Sequence, residues 1–171
     1  QAEHLMQMLS DVLQASGVDA DHLNAIAVGI GPGNFTGTRI AVSAARGLAM
    51  GLGIPTVGIS AFQILNGLGG PTQDGPWLMS LPAPRDGLYL QQFLNGAPVE
   101  APQNLGKYDV PSARTHDGTG IYGYCALEIG EALFPDQPGG PANKRFLTAD
   151  IDWAAAAPAM ARIAANKLKS G

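Results

Sequence analysis

The stretch IAVGIGPGNFTGTRIAVSAARGLAMGLGIPTVGISAFQIL, residues 26–65, decides the fold of this chain. An apolar run at 25–30 leads into a glycine-rich turn and a helical pattern at 36–52, and a second apolar run at 54–59 leads into a helical pattern at 61–68. Short apolar runs bounded by turns are typical of buried strands, and a strand–helix–strand order is typical of parallel pairing. The stretch therefore predicts an α/β fold.

The turn after the first strand has the form of a generic anion site, because backbone N–H groups at a helix start point towards it. Its residues are Gly31, Pro32, Gly33, Thr36 and Gly37. No Gly-Lys-Ser/Thr follows, as a P-loop requires, and Asn34 stands where the dinucleotide fingerprint needs its third glycine. A tight turn that binds nothing is the alternative interpretation.

The helix predicted at 36–52 carries small residues at four-residue spacing. One row is Gly37, Ala41, Ala45, Ala49 and Gly53, and a second row is Ser43, Gly47 and Gly51. Such rows leave shallow grooves that another helix or a sheet can approach closely. Arg39 and Arg46 lie on one face of this helix, and arginine is favoured at interfaces because it binds carboxylates through two hydrogen bonds. Packing on the chain's own sheet and solvated arginines are the alternatives.

The segment 1–16 predicts an amphipathic helix that ends at Gly17. Each of the two predicted helices has more apolar or small-residue surface than a single neighbouring element could cover. We therefore predict that they form a helix bundle with another molecule. The predicted contact residues are Leu5, Met6, Leu9, Val12 and Leu13 in the first helix, with Arg39, Ala41, Ala45, Arg46 and Ala49 in the second.

A run rich in glycine and proline, 69–76, is the clearest linker signal. Beyond it we expect an antiparallel hairpin at 77–81 and 88–94, an edge strand within 98–110, a strand at 118–124, a helix at 126–133, a loop at 134–143 and a helix at 151–169 that begins at Asp150 or Asp152. We therefore divide the chain into a first lobe at 1–70, a second lobe at 71–150 and a C-terminal helix at 151–171.

The composition of the 171 residues bounds the function: 46% are hydrophobic, 14% are charged and the net charge is −4. Tight binding of nucleic acid normally needs a basic surface, so contact with RNA is expected to belong largely to another protein. The single cysteine, Cys125, excludes an intramolecular disulfide and fits a reducing cytoplasm. Neither a membrane span nor a signal peptide is found. We expect a cytoplasmic protein.

The segment Gly31-Pro32-Gly33-x-Phe35-Thr36-Gly37-x-Arg39-Ile40, with Gly47-Leu48-Ala49 and Ile54-Pro55-x-Val57-Gly58-Ile59-Ser60, resembles the signature of the TsaB (YeaZ) family. Ala83-x-Arg85 and Tyr89 resemble a further family segment, but Pro82 replaces its aspartate, so that site is assigned no role. The resemblance covers residues 1–95. It implies an actin-like ATPase fold (ASKHA, ribonuclease H-like) with two lobes. The family's N-terminal strands and C-terminal tail have no counterpart, so the chain is expected to be trimmed at both ends.

The TsaB family is similar to its paralogue TsaD, which transfers a threonylcarbamoyl group to N6 of adenosine 37 in tRNAs that read ANN codons. Catalytic members of this M22 glycoprotease-like superfamily carry His-x-x-x-His on one helical face, able to share a metal. The matching positions here are Ala61 and Leu65, which have no ligand atom. The resemblance therefore implies a scaffold with no catalytic, cofactor-binding or metal-binding residue of its own.

The implied partners are TsaD in direct contact, TsaE within the complex, and tRNA indirectly, with ATP, ADP and metal held by the partner proteins. The chain could also form a homodimer through the helices predicted at 1–16 and 36–52. The alternative function is that of an active enzyme, either an actin-like nucleotide-dependent transferase or an M22-type metallopeptidase. A secreted regulator is the third reading, and the lack of a signal peptide argues against it.

Overall fold

The computed structural model describes residues 4–71, 75–106, 109, 119–135, 146–149 and 151–170. The chain forms two compact units, Gln1–Ala61 with Pro158–Gly171, and Phe62–Ala157. The first unit therefore draws on both ends of the sequence. The lobe boundaries at 70 and 150 stay predictions.

The first unit is a parallel strand pair with helices. Its elements are α1 (Leu5–Ser16), a 3₁₀ turn (Ala20–His22), β1 (Ile26–Gly29), α2 (Phe35–Leu52) and β2 (Thr56–Ile59). The two strands pair in parallel from Ile26 opposite Thr56 to Gly29 opposite Ile59. The predicted strand–helix–strand unit is confirmed.

Both helices of the first unit end as the sequence predicts. Gly17 and Gly53 adopt left-handed conformations with φ of 65° and 67°, and their N–H groups bond to carbonyls of the preceding helical turn. Glycine takes this conformation without the steric cost of a Cβ. At its start, α2 is capped by Asn34, whose Oδ1 accepts a hydrogen bond of 2.9 Å from the Gly37 N–H.

The second unit is built on a mixed sheet with the strand order β5-β4-β3-β7-β8, in which β6 also pairs with β4. Its elements are α3 (Ala61–Gly67), β3 (Pro76–Ala83), β4 (Gly87–Leu94), β5 (Ala97–Pro98), β6 (Gln103–Leu105), β7 (Gly120–Gly123), α4 (Ala126–Leu133) and β8 (Phe146–Thr148). The β3–β4 pair is the predicted antiparallel hairpin, whereas β7 pairs in parallel with both β3 and β8.

One part of the core of the second unit lies between the sheet and α4. The buried cluster consists of Leu78, Leu90, Ile121, Ala126, Ile129 and Phe146. The rings of Phe134 and Phe146 stack with their centroids 6.1 Å apart. These contacts fix α4 on the sheet and make the predicted helix at 126–133 part of the core.

The last helix, α5 (Trp153–Ser170), continues from one compact unit into the other. Asp152 begins it, since its Oδ1 accepts a hydrogen bond of 2.9 Å from the Ala154 N–H; Asp150 and most of the loop predicted at 134–143 lie outside the described residues. In the part of the chain that the structure describes, no helix is both long enough and apolar enough to cross a membrane.

Candidate partner-binding face of the first two helices

The apolar side of α1 is uncovered in this structure. No residue of α1 is buried, although the helix is strongly amphipathic. Met6 is 54% exposed, Met8 60% and Val12 65%. Leu9 is 37% exposed, and Leu5 and Leu13 are half-buried. All five predicted contact residues of the first helix are therefore at least partly accessible.

The first row of small residues in α2 faces the chain's own sheet. Ala45 and Ala49 are only 6% and 4% exposed, and Ala41 is half-buried. The helix packs on β1 and β2. Because Ala45 and Ala49 are already covered, we remove them from the predicted contact set.

The second row of small residues in α2 lies on the accessible side. Ser43, Gly47 and Gly51 are all exposed, and a Cβ placed at either glycine would meet no atom within 4 Å. Ile40, 37% exposed, lies on the same side. These four residues, called here the α2 groove, form the surface on which a partner helix could pack closely. Sequence periodicity identified both rows, and only burial distinguishes them.

The arginine pair flanks the α2 groove. Arg39 and Arg46 are exposed, and neither forms an ion pair with a described carboxylate. The Cζ atom of Arg39 lies 3.8 Å from the centroid of the Phe35 ring, which is itself 66% exposed. The cation–π contact places the guanidinium over the ring, while Arg39 as a whole stays exposed to a partner.

The glycine-rich turn has a clear structural role. Gly31 has a φ of 86°, and the Gly31–Pro32 peptide bond is cis. The carbonyl oxygen of Gly31 accepts a hydrogen bond of 2.7 Å from the Ala61 N–H. The Gly37 N–H is occupied by Asn34, so it is withdrawn from any anion site at this helix start. Pro32 is half-buried, while Gly33 and Thr36 are exposed beside the first turn of α2. The turn joins β1 to α2 and so sets the direction of the second helix.

The positions that the resemblance matches with metal ligands are apolar and buried. Ala61 and Leu65, both in α3, are 7% and 1% exposed. Among the described residues, no three histidine, cysteine or acidic side chains gather in a way that could hold a metal ion.

A second surface feature, which the sequence did not indicate, is a cleft of about 240 Å³ in the second unit. Its lining residues are Asp86, Leu88, Asp109, Tyr124, Cys125, Glu128, Ile129 and Ala132. Charge repulsion from Cys125, together with a hydrogen bond between the two side chains, raises the pKa of Tyr124 above its ordinary value. The residues converge from three separate stretches of the sequence, 86–88, 109 and 124–132, which is why no spacing in the sequence reveals them.

Comparison with known proteins agrees with this α/β architecture. Residues 1–92, more than half of the chain, match the family model described as TsaD: tRNA N6-adenosine threonylcarbamoyltransferase. The chain therefore belongs to this family. Several of the proteins to which it is similar carry the names TsaB and YeaZ.

Two relatives illustrate the extent of the similarity. The tRNA threonylcarbamoyladenosine biosynthesis protein TsaB of Escherichia coli K12 is 40% identical over 63 residues, which cover 37% of this chain and 27% of that protein. An uncharacterized protein of Mycobacterium tuberculosis is 29% identical over 153 residues, 90% of this chain and 69% of that protein. The matches to the curated TsaB proteins thus span about a quarter of their length.

Solved structures show the same fold over nearly the whole chain. YeaZ from Pseudomonas aeruginosa superposes with a TM-score of 0.64 at 24% identity, covering 97% of this chain and 77% of that one. A crystal structure described as an uncharacterized protein with similarity to peptidase YEAZ, from the same organism, gives a TM-score of 0.60 at 25% identity, covering 96% and 76%. The expected actin-like α/β fold and the resemblance to TsaB and YeaZ are confirmed.

Proposed function

We propose that this chain is a non-catalytic partner of TsaD in the threonylcarbamoylation of adenosine 37 of tRNAs that read ANN codons. The observation that carries the proposal is the uncovered apolar side of α1, with Met6, Met8 and Val12 all more than half exposed. Its relatives named TsaB are described as tRNA threonylcarbamoyladenosine biosynthesis proteins, which supplies the pathway. An exposed apolar helix in a protein of this pathway is best explained by a partner that covers it.

The α2 groove complements α1 in this role. Gly47 and Gly51 leave open space where other residues would place a Cβ, so a partner helix could approach the α2 backbone closely. Exposed Ile40 and the apolar residues of α1 would supply the buried area. Burial of one large apolar side chain contributes roughly 1.5–3 kcal/mol, so three or four such residues would contribute roughly 5–12 kcal/mol towards the cost of association.

The chemistry of the reaction would come from the partner. Ala61 and Leu65 carry no atom that coordinates a metal, and both are buried. ATP, ADP and metal would therefore be held by TsaD and by TsaE within the complex. Because the chain has a net charge of −4, most of the contact with the negatively charged tRNA would be made by the partner. The place of action would be the cytoplasm, and α1 and α2 would form a helix bundle with TsaD.

A variant pair tests the interface without disturbing the fold. Gly47→Arg places a long side chain in the α2 groove, and it should stabilise the helix because glycine costs about 1 kcal/mol there. Ala165→Arg adds the same side chain at an exposed position of α5 in the same compact unit. Thermal unfolding of both variants establishes that they fold.

The measurements are complex formation with TsaD of the same organism, by light scattering after size exclusion, and modification of adenosine 37 in a reconstituted reaction, by mass spectrometry of tRNA digests. We expect a complex and modified tRNA with the unaltered chain and with Ala165→Arg, and loss of both with Gly47→Arg. A Gly47→Arg variant that binds TsaD normally contradicts the proposed interface. An unaltered chain that forms no complex under any nucleotide condition contradicts the proposed function.

The alternative enzymatic function draws on the family model, which is described as a threonylcarbamoyltransferase. An enzyme of this kind would bind ATP and a divalent metal as an isolated chain. Calorimetric titration of the chain alone with MgATP and with zinc decides between the two. Micromolar binding of either would favour the active enzyme, and the scaffold function predicts none.

A further inference from the structure

We infer that the partner presents an acidic helical face to α2, with two carboxylates about two helical turns apart that pair with Arg39 and Arg46. The inference rests on the proposed function and adds the chemistry of the partner's surface. Its basis is the charge of α2, whose sequence FTGTRIAVSAARGLAMGL contains two arginines and no acidic residue.

The spacing of the two arginines defines the spacing of the carboxylates. Arg46 follows Arg39 by seven positions, which corresponds to roughly 10 Å along the helix axis and places both on one side of the α2 groove. A helix packed in the groove would carry residues at matching seven-residue spacing past both guanidiniums. Two acidic residues at that spacing satisfy both arginines at once.

Arg39 is already oriented for such a contact. Its Cζ atom stacks on the Phe35 ring at 3.8 Å, so the side chain gives up little further freedom when it binds. The guanidinium edge remains able to donate two parallel hydrogen bonds to one carboxylate. The positive end of the α2 dipole lies in the adjacent turn and strengthens the attraction for an anion.

A second copy of this chain offers too few carboxylates to pair with Arg39 and Arg46. Among the described residues of α1 and α2, Asp11 is the one carboxylate, and it already accepts a hydrogen bond of 2.8 Å from Gln7 Nε2. Two copies that pair through these helices would bring four guanidiniums together with only two such carboxylates. Like charges across an interface suppress the wrong pairing, so the charge pattern selects a different, acidic partner over self-association.

The test measures the affinity of the full chain for TsaD of the same organism by calorimetry, at 50 mM and at 500 mM NaCl. The variants are Arg39→Glu, Arg46→Glu and the double reversal. Arg85→Glu is the matched control, because Arg85 is exposed and belongs to the hairpin turn of the other compact unit. Circular dichroism of each variant confirms folding.

We expect each reversal to weaken binding by about tenfold and the double reversal by about a hundredfold, with Arg85→Glu unchanged. The unaltered chain should lose about tenfold between the two salt concentrations, because pairs at the rim are screened. Tight, salt-independent binding that the double reversal leaves unchanged overturns the inference while the proposed function stands. Equal weakening by Arg85→Glu also overturns it, since the effect is then one of overall charge. If the unaltered chain fails to bind TsaD, the proposed function itself falls.

Discussion

The Nζ atom of Lys167 donates a hydrogen bond of 2.9 Å to the backbone carbonyl oxygen of Gly58. The two residues lie at the end of α5 and in β2, and both belong to the first compact unit. The contact therefore joins the C-terminal helix to the strand pair that the fold-determining stretch forms. It helps to explain why the part of α5 from Pro158 onwards belongs to the first unit.

Removal of this contact should destabilise the protein moderately. Lys167→Ala leaves the Gly58 carbonyl to water, and an accessible hydrogen bond of this kind contributes about 0.5–1.5 kcal/mol to the free energy of unfolding. Lys169→Ala, two residues further along the same helix, is the control and should change stability by less than about 0.5 kcal/mol. Urea denaturation followed by circular dichroism measures both. Equal stability of the two variants would show that the Lys167 contact contributes nothing.

The cap of α2 gives a second prediction. Asn34→Ala removes the oxygen that accepts from the Gly37 N–H and should lower the free energy of unfolding by about 1 kcal/mol. Asn34→Ser keeps a capping oxygen and should retain most of the stability. Thermal melts of the two variants compare them directly. An alanine variant as stable as the serine variant would mean that the cap is replaced by solvent at no cost.

Two glycines of the second unit should respond very differently to alanine. Gly123 has a φ of 123°, and a Cβ there would overlap the backbone carbonyl oxygen of Ser80 on the neighbouring strand. Gly96 has a φ of 79° with no atom within 4 Å of an added Cβ. We expect Gly96→Ala to cost about 1 kcal/mol, through the left-handed backbone alone. Gly123→Ala should cost more than about 3 kcal/mol, because β3 and β7 must separate.

Expression yield and urea denaturation check this pair of alanine variants. A Gly123→Ala variant as stable as Gly96→Ala would contradict the close approach of β3 and β7.

Local sequence signals predicted the first half of the fold well. Gly17 and Gly53 mark the ends of α1 and α2. The three-residue turn 84–86, with φ near 60° at Arg85 and Asp86, closes the predicted hairpin. The strand β8 was not predicted, because its three residues carry no period and form a strand only by pairing in parallel with β7. Such pairing depends on contacts distant in the sequence, which local patterns do not contain.

The candidate site stays a prediction, and burial in the structure changes which residues of α2 can take part in it. Periodicity identified α1 and α2 as helices with surplus apolar or small-residue surface. It did not decide which row of α2 meets the sheet, because Ala45 and Gly47 belong to rows of equally small residues. The position of the sheet decides it: Ala45 is covered, and Gly47 is open. The sequence spacing indicated that Arg39 and Arg46 lie on one face of the helix. The stacking of Arg39 on Phe35 is visible only in the structure.

The exposed side of α1 gives the most direct prediction for assembly. Val12→Asp introduces a charge into the apolar surface that we propose TsaD covers, where burial of an unpaired carboxylate is strongly unfavourable. Since Val12 is 65% exposed in the isolated chain, the substitution should leave the free energy of unfolding within about 0.5 kcal/mol of its original value. Binding to TsaD should fall by at least about a hundredfold, which corresponds to a loss of about 3 kcal/mol.

Ser10→Asp, an exposed substitution of the same helix on its polar side, is the control and should bind TsaD as the unaltered chain does. Sedimentation velocity of equimolar mixtures distinguishes the two variants. If Val12→Asp and Ser10→Asp both bind normally, α1 lies outside the interface and its apolar side is covered by something other than TsaD. If Val12→Asp unfolds the protein, α1 contributes to the stability of the isolated chain more than its exposure implies.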